Sequence, residues 1–225
     1  MELTEQQLVD ELESIAIATT DAMLADGGFV PPPTMHMFCN DLGRQPYAGY
    51  VRARPFYPGD DAHAAVEALG LVASFVNASR LLLAWEQADL QIALQRPGKL
   101  LPTGLVVADV PRIGEHVVRW TPAKLVQTGT RADGCPIVAA SWGPTQQIPG
   151  GRLPAPVSAA LELWQSPRTW SAMEIAEAYI DMEDDGYHMA WPVRPDDEPP
   201  ERWPLWRAVV EAIVTDPGQF QRSAS

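Results

Sequence analysis

The sequence predicts an α+β fold: a mixed, mostly antiparallel sheet of about five to six strands with one β-α-β crossover, an amino-terminal helix and a helical carboxyl-terminal region. Three observations carry this. Apolar residues recur at helical spacing before residue 27 and again beyond residue 156. Between those stretches, short alternating or continuously apolar runs are separated by Gly, Pro and Asp-Gly, as strands joined by turns are. One helical stretch beginning near residue 60 lies between two strand-like runs, an order that implies a right-handed crossover and a local parallel pairing.

Thr4 opens the first helix, where Gln7 completes a capping box and Leu3 staples against Leu8. Leu8, Leu12, Ile15, Thr19 and Met23 define its expected buried stripe, and Gly27-Gly28 ends it. Pro31-Pro32-Pro33 is a stiff extended connector. Over 34–39, Met35, Met37 and Cys39 point to one face of a strand and His36 and Phe38 to the other. A turn over 41–43 leads to a second strand over 47–54. Pro58-Gly59-Asp60 starts a helix with an aspartate available as its cap, and Ala62, Val66, Leu69, Ala73 and Val76 form its packed stripe. Residues 81–85 read as a buried strand. Further strands fall at 104–110 and at 116–127, the latter interrupted by Pro122, and Asp133-Gly134 turns the chain into a strand over 136–142.

A Gly- and Pro-rich connector over 147–156 separates a sheet domain, 1–150, from a helical region, 151–225, that packs on the same domain. In that region Ser171 and Glu174 form a capping box, with Ala172, Ile175, Ala176 and Tyr179 on the buried face of the helix that follows. Pro204 opens a last helix with Leu205, Ala208, Val209, Ala212 and Ile213 on one stripe.

The net charge of −13 is unevenly placed. Residues 1–26 hold seven acids and no base, residues 181–202 hold eight acids against Arg194 and Arg202, and the rest is balanced. A body without basic excess cannot neutralise phosphates, so nucleic acid is not the expected partner. Acids gathered in one helix and one loop read as solvated faces rather than as a mimic of DNA. No apolar run reaches the roughly 18 residues of a membrane span, and acid stands where a secretory signal carries positive charge. A cytoplasmic protein without a membrane partner is expected, with Cys39 and Cys135 as reduced thiols. Lys99 and Lys124 are the only lysines, and Ala and Pro are abundant, the bias of a GC-rich bacterium or its phage.

Chemical motifs are sparse. His36 and Cys39 face opposite sides of a strand and make no metal pair. His63 and Glu67 share a helix face and could hold one ion, although near a helix start such residues are more often at the surface. Asp181, Glu183, Asp185 and Gly186 imitate the first half of a calcium loop, but Pro192 stands where the closing glutamate belongs. No metal or cofactor is therefore expected. Ser141 is not in a nucleophile elbow, glycines form no nucleotide loop, and Cys135 with His116 is a conceivable but unsupported catalytic pair. One constellation stands out. Trp85, Glu86 and Asp89 fall at the end of a buried strand, where an aromatic and two carboxylates could hold a cationic or sugar-like ligand with one acid as base. The plainer reading makes Trp85 core and Asp89 the start of a short helix. Five of the eight tryptophans come late, at 164, 170, 191, 203 and 206. Trp191, set among acids and prolines, is expected to be an exposed interface anchor beside Asp184 and Asp185.

These readings point to a non-enzymatic cytoplasmic protein that binds another protein through residues 181–202. The alternatives are a small enzyme, such as a hydrolase, centred on Trp85, Glu86 and Asp89, and a structural or assembly protein of a phage or mobile element. A buried Glu86 beside a deep pocket favours the enzyme; an exposed Trp191 favours the binder.

Overall fold

The computed structural model describes residues 5–42, 46–95 and 102–191. Its elements run α1 (Glu5–Gly27), β1 (Thr34–Phe38), a 3-10 turn (Asn40–Leu42), β2 (Tyr47–Arg52), α2 (Asp60–Glu67), α3 (Leu69–Val76), β3 (Arg80–Glu86) and α4 (Gln87–Ala93). They continue with β4 (Gly104–Pro111), β5 (Val117–Thr130), β6 (Pro136–Trp142), β7 (Gln146–Pro149), α5 (Ala155–Gln165), α6 (Ala172–Asp184) and β8 (His188–Ala190). The expected cap residues Leu3 and Thr4, the last helix over 205–213, and Trp203 and Trp206 lie outside the described residues.

Among the described residues the sheet has eight strands in the order β6-β5-β4-β3-β1-β2-β8, with β7 also on β5, and every pairing is antiparallel. This corrects the expected strand number and the expected parallel pair. β2 and β3 do run in the same sense, but β1 lies between them and pairs antiparallel with both. Strand–helix–strand order dictates relative direction, not adjacency. β1 lies between β2 and β3 with buried residues on both faces, Met35 and Met37 on one and Phe38 on the other. The two strands missing from the expectation are β7, inside the supposed connector, and β8, inside the supposed acidic loop. Each spans only three or four residues at a sheet margin, too few for a period of two to register.

Pro122 does not interrupt β5. Its carbonyl accepts from Gly143 N–H at 2.8 Å, so its missing N–H faces the same edge, where the chain leaves the ladder between β6 and β7 and no donor is required.

One face of the sheet is covered by α2, α3, α5 and α6. They share a core with Met35, Met37, Val51, Leu81, Leu83 and Val106, so residues beyond 150 belong to the same hydrophobic core as the sheet. Trp164 is fully buried there, its indole N–H donating to the Ala78 carbonyl at 3.0 Å. The helices α3 and α5 touch backbone to backbone at Gly70, where a Cβ would come within 2.0 Å of the Ala160 carbonyl oxygen. The helix expected from residue 60 breaks at Ala68 into α2 and α3. Its N-cap is Gly59 at φ 104° rather than an aspartate, and Asp61 instead accepts from the Tyr57 N–H at 2.7 Å.

The opposite face is covered by α1. Its buried positions are Val9, Glu13, Thr20 and Leu24, one residue along from the expected stripe, while Ile15 is 48% exposed. One residue is about 100° of rotation on a helix. The cause is Glu13, whose carboxylate accepts from Arg119 Nε at 2.7 Å and from the Thr121 and Thr145 hydroxyls at 3.1 and 2.7 Å. Asp10 takes a second Arg119 nitrogen at 2.7 Å, Asp21 accepts from the Trp142 indole at 2.9 Å, and Asp26 pairs with Arg131. Four acids of this helix therefore bond to the β5–β6 side of the protein, Glu13 from a buried position and Asp10 and Asp26 from positions that are also open to solvent.

Removing one partner of a buried ion pair leaves the other charge uncompensated, at about 3–5 kcal/mol. Glu13→Ala should lower stability by that amount in urea denaturation, and Glu13→Leu with Arg119→Met should recover most of it. Asp10→Ala, half-exposed, should cost no more than about 1 kcal/mol. Equal costs for Glu13→Ala and Asp10→Ala would mean that the network does not hold the helix.

Candidate functional site

Of the residues singled out in the sequence, Glu86 and Asp89 both line one open groove, and the others do not converge. Trp85 and Glu86 are neighbours on β3 and so face opposite sides of the sheet: Trp85 packs in the main core, its indole donating to Gln87 at 3.0 Å. Glu86 is buried, but its oxygens accept the Asp89 N–H at 2.5 Å and the Gly104 N–H at 2.8 Å. It caps α4 and ties β4 to it. Asp89 lines an open groove of about 760 Å³ together with Phe29, Ile92 and Leu125; burial, and then the charge of Glu86, raises its pKa. His63 and Glu67 sit 3.6 Å apart on the exposed side of α2, and among the described residues no three His, Cys, Asp or Glu side chains group as a metal site. His116 bonds the Gly151 carbonyl at the start of β5, whereas Cys135 lies past its far end, so the two do not meet. Cys39 is buried and Cys135 half-buried, both unbridged.

Over its described part, 181–191, the acidic segment is not the extended loop expected of it; residues 192–202 lie outside the described residues. Asp181, Glu183 and Asp184 belong to α6, Asp185 caps its end, and β8 follows. Asp184 and Asp185 are exposed. Trp191 is half-buried and packs against the core. Gly49 makes room for it: a Cβ there would lie 2.8 Å from the indole and 2.4 Å from the Ala190 carbonyl.

A different set of residues does converge. Because α1 lies over the β4–β6 side, the β1–β2–β8 side of the same face stays open. Thr34 and His36 on β1 and Tyr50 and Arg52 on β2 form the floor of a cleft of about 260 Å³. One wall is the flank of α1, from Ile15 to Thr20, and another is Pro31-Pro32 of the stiff connector. Antiparallel register places His36 opposite Tyr50 and Arg52 opposite His188. A bulge between β1 and β2, where Met37 faces Gly49 but Phe38 faces Tyr47, turns Tyr47 to the same side despite its odd spacing from Tyr50. Four rings thus follow one another: Tyr47 and His36 with centroids 6.0 Å apart, His36 and Tyr50 at 5.7 Å, and Tyr50 and His188 at 5.8 Å. The Arg52 guanidinium lies 5.8 Å from the Tyr50 ring centre.

The electrostatics of the cleft are set by Arg52. Among the described residues its Nε is buried without a hydrogen-bond partner, and no carboxylate pairs with it. Burial, and then the charge of Arg52, lowers the pKa of His36 to about 4, so the imidazole is neutral at physiological pH. Its Nδ1 is 2.9 Å from the Tyr47 hydroxyl, whose pKa burial pushes well above the ordinary tyrosine value. Tyr47 therefore keeps its proton and orients the ring. The site presents one uncompensated positive charge, a neutral imidazole, phenol rings and apolar walls.

Part of this set is visible in the strand alternation, which turns His36 away from the main core. The bulge that adds Tyr47 and the edge strand that adds His188 leave no local sequence signal. Comparison of the chain with protein-family models, with curated proteins and with solved structures gives no match.

The folded-state pKa of His36 lies below its ordinary 6.5, so the unfolded chain takes up the proton first. Its contribution to stability is complete above that value and is lost as pH falls towards 4. Between pH 7 and 4.5 the wild type should lose about 2–3 kcal/mol more than His36→Gln, measured by urea denaturation of both. Parallel losses would place no neutral imidazole at this position.

Proposed function

We propose that this protein is a binding protein rather than an enzyme, and that the cleft between α1 and the β1–β2–β8 side of the sheet takes an anionic group with Arg52 as its counter-charge. The observation that supports this is the buried Nε of Arg52, unpartnered among the described residues, at a cleft lined by the rings of His36 and Tyr50 and by the flank of α1. A buried donor left unpaired is destabilising by about 1–3 kcal/mol, and a ligand anion offsets that penalty. The enzyme reading is weaker at Glu86, whose two oxygens are taken by backbone N–H groups, and would rest on Asp89 as its base.

A second reading, contact with another protein, is supported by the outer strand pair. Beyond Pro122, β5 pairs only with β6, which is itself the sheet edge, and Leu125 and Val126 there are 42% and 59% exposed. An open edge with apolar side chains is the kind of surface that accepts an added strand. Asp184 and Asp185 are exposed but precede β8, at the opposite end of the sheet from this edge, and Trp191 is largely engaged by the core.

If Arg52 is kept for a ligand, Arg52→Met should leave the ligand-free protein as stable as wild type or more stable by about 1 kcal/mol. In the same protein, thermal stabilisation by a panel of small anionic metabolites should disappear, while Asp184→Asn with Asp185→Asn should keep it. A clear loss of ligand-free stability in Arg52→Met would assign the arginine to the fold instead.

A further inference from the structure

We infer that the group the cleft takes is a small monocarboxylate carried on a single flat, apolar ring; this rests on the binding reading above and names its ligand class.

The charge count comes first. Among the described residues Arg52 is the one charged side chain in the lining, since His36 is neutral, and no carboxylate pairs with it. One fixed positive charge matches one negative charge. A phosphate dianion would be left half-neutralised, and phosphate sites add backbone N–H donors from a loop or a helix start. The helix here contributes residues 15–20 from the middle of α1, where the N–H groups are spent on the helix itself. Guanidinium and carboxylate are both planar forks that match in pairs of parallel hydrogen bonds.

The body of the ligand follows from the rest of the lining. Ile15, Ala84, Leu105, Pro31 and Pro32 are apolar, and the hydroxyls of Thr20 and Thr34 are already spent on the carbonyls of Ala16 and Pro32 at 2.8 and 2.9 Å. A sugar or polyol would find few partners. His36 and Tyr50 offer ring faces against which a flat body packs. Size limits it further: an apolar cavity of about 150 Å³ holds a benzene, so about 260 Å³ holds one ring with a short carboxylate arm and falls below the usual range of drug-sized sites.

The test is titration of the 15N-labelled full chain, followed by amide shifts, with phenylacetate, benzoate, acetate, benzyl alcohol and inorganic phosphate. Both ring acids should move the amides of Ile15, Ala16, Ala84 and Leu105. Acetate should bind at least tenfold more weakly, and benzyl alcohol and phosphate should leave these amides in place. Arg52→Gln, checked to keep the wild-type spectrum elsewhere, should weaken the ring acids at least tenfold. Acetate or phosphate acting through Arg52 as strongly as the ring acids would overturn the ring-carboxylate assignment and leave the anion-binding cleft standing. Ring acids that bind Arg52→Gln as well as wild type, or that shift none of these amides, would overturn the inference; the first result would also remove the cleft reading.

Discussion

A carboxylate in the middle of a helix's buried face is the constraint on which this structure is arranged. Glu13 sits where a leucine would ordinarily be, and Arg119, Thr121 and Thr145 converge on it from the sheet. The desolvation of such a pair offsets much of its attraction, so the network adds less to stability than to uniqueness. The flank with Leu8 and Leu12 could bury comparable apolar area, as the half-buried state of both residues attests. The ion pair selects the other rotation, and Val9, Thr20 and Leu24 follow it into the interior.

That choice decides where the molecule is open. Arg119 is held on β5 opposite Val107 of β4, so the helix bound to it leans over that side of the sheet. The β1–β2–β8 side is left to the Pro31-Pro32 connector and to its own side chains. These are the rings and the arginine of the cleft, a composition unlike the aliphatic face that α2, α3, α5 and α6 cover. The same chain thus buries one sheet face with apolar packing and half of the other with paired charge. The remaining half keeps a guanidinium that nothing in the described chain neutralises.

The acidic helix also takes on a different meaning. Asp10, Glu13, Asp21 and Asp26 fall on the side that meets Arg119, Trp142 and Arg131, so the charge that suggested a solvated face is in large part internal wiring. The β5–β6 ribbon, which projects past β4, is fastened to α1 by two of these contacts, at Trp142 and Arg131. Its apolar side chains stay exposed because α1 ends at Gly27 and covers no further.

What the residues determine on their own is local. Helix and strand periods, the capping box at Ser171 and Glu174, and the Asp133-Gly134 turn are properties of neighbours in the chain, and the structure contains each of them. The alternation along β1 likewise separates Met35 and Met37 from His36 without any tertiary information. The partner strand of β3, the rotation of α1 and the cleft around Arg52 were decided by contacts between residues far apart in sequence. A glutamate reads as exposed until its arginine, 106 positions away, is placed beside it, and a tyrosine three residues from another reads as facing the opposite way until a bulge turns it. Local propensity prices each residue against water; only the assembled sheet supplies the charge, the register and the edge that replace water here.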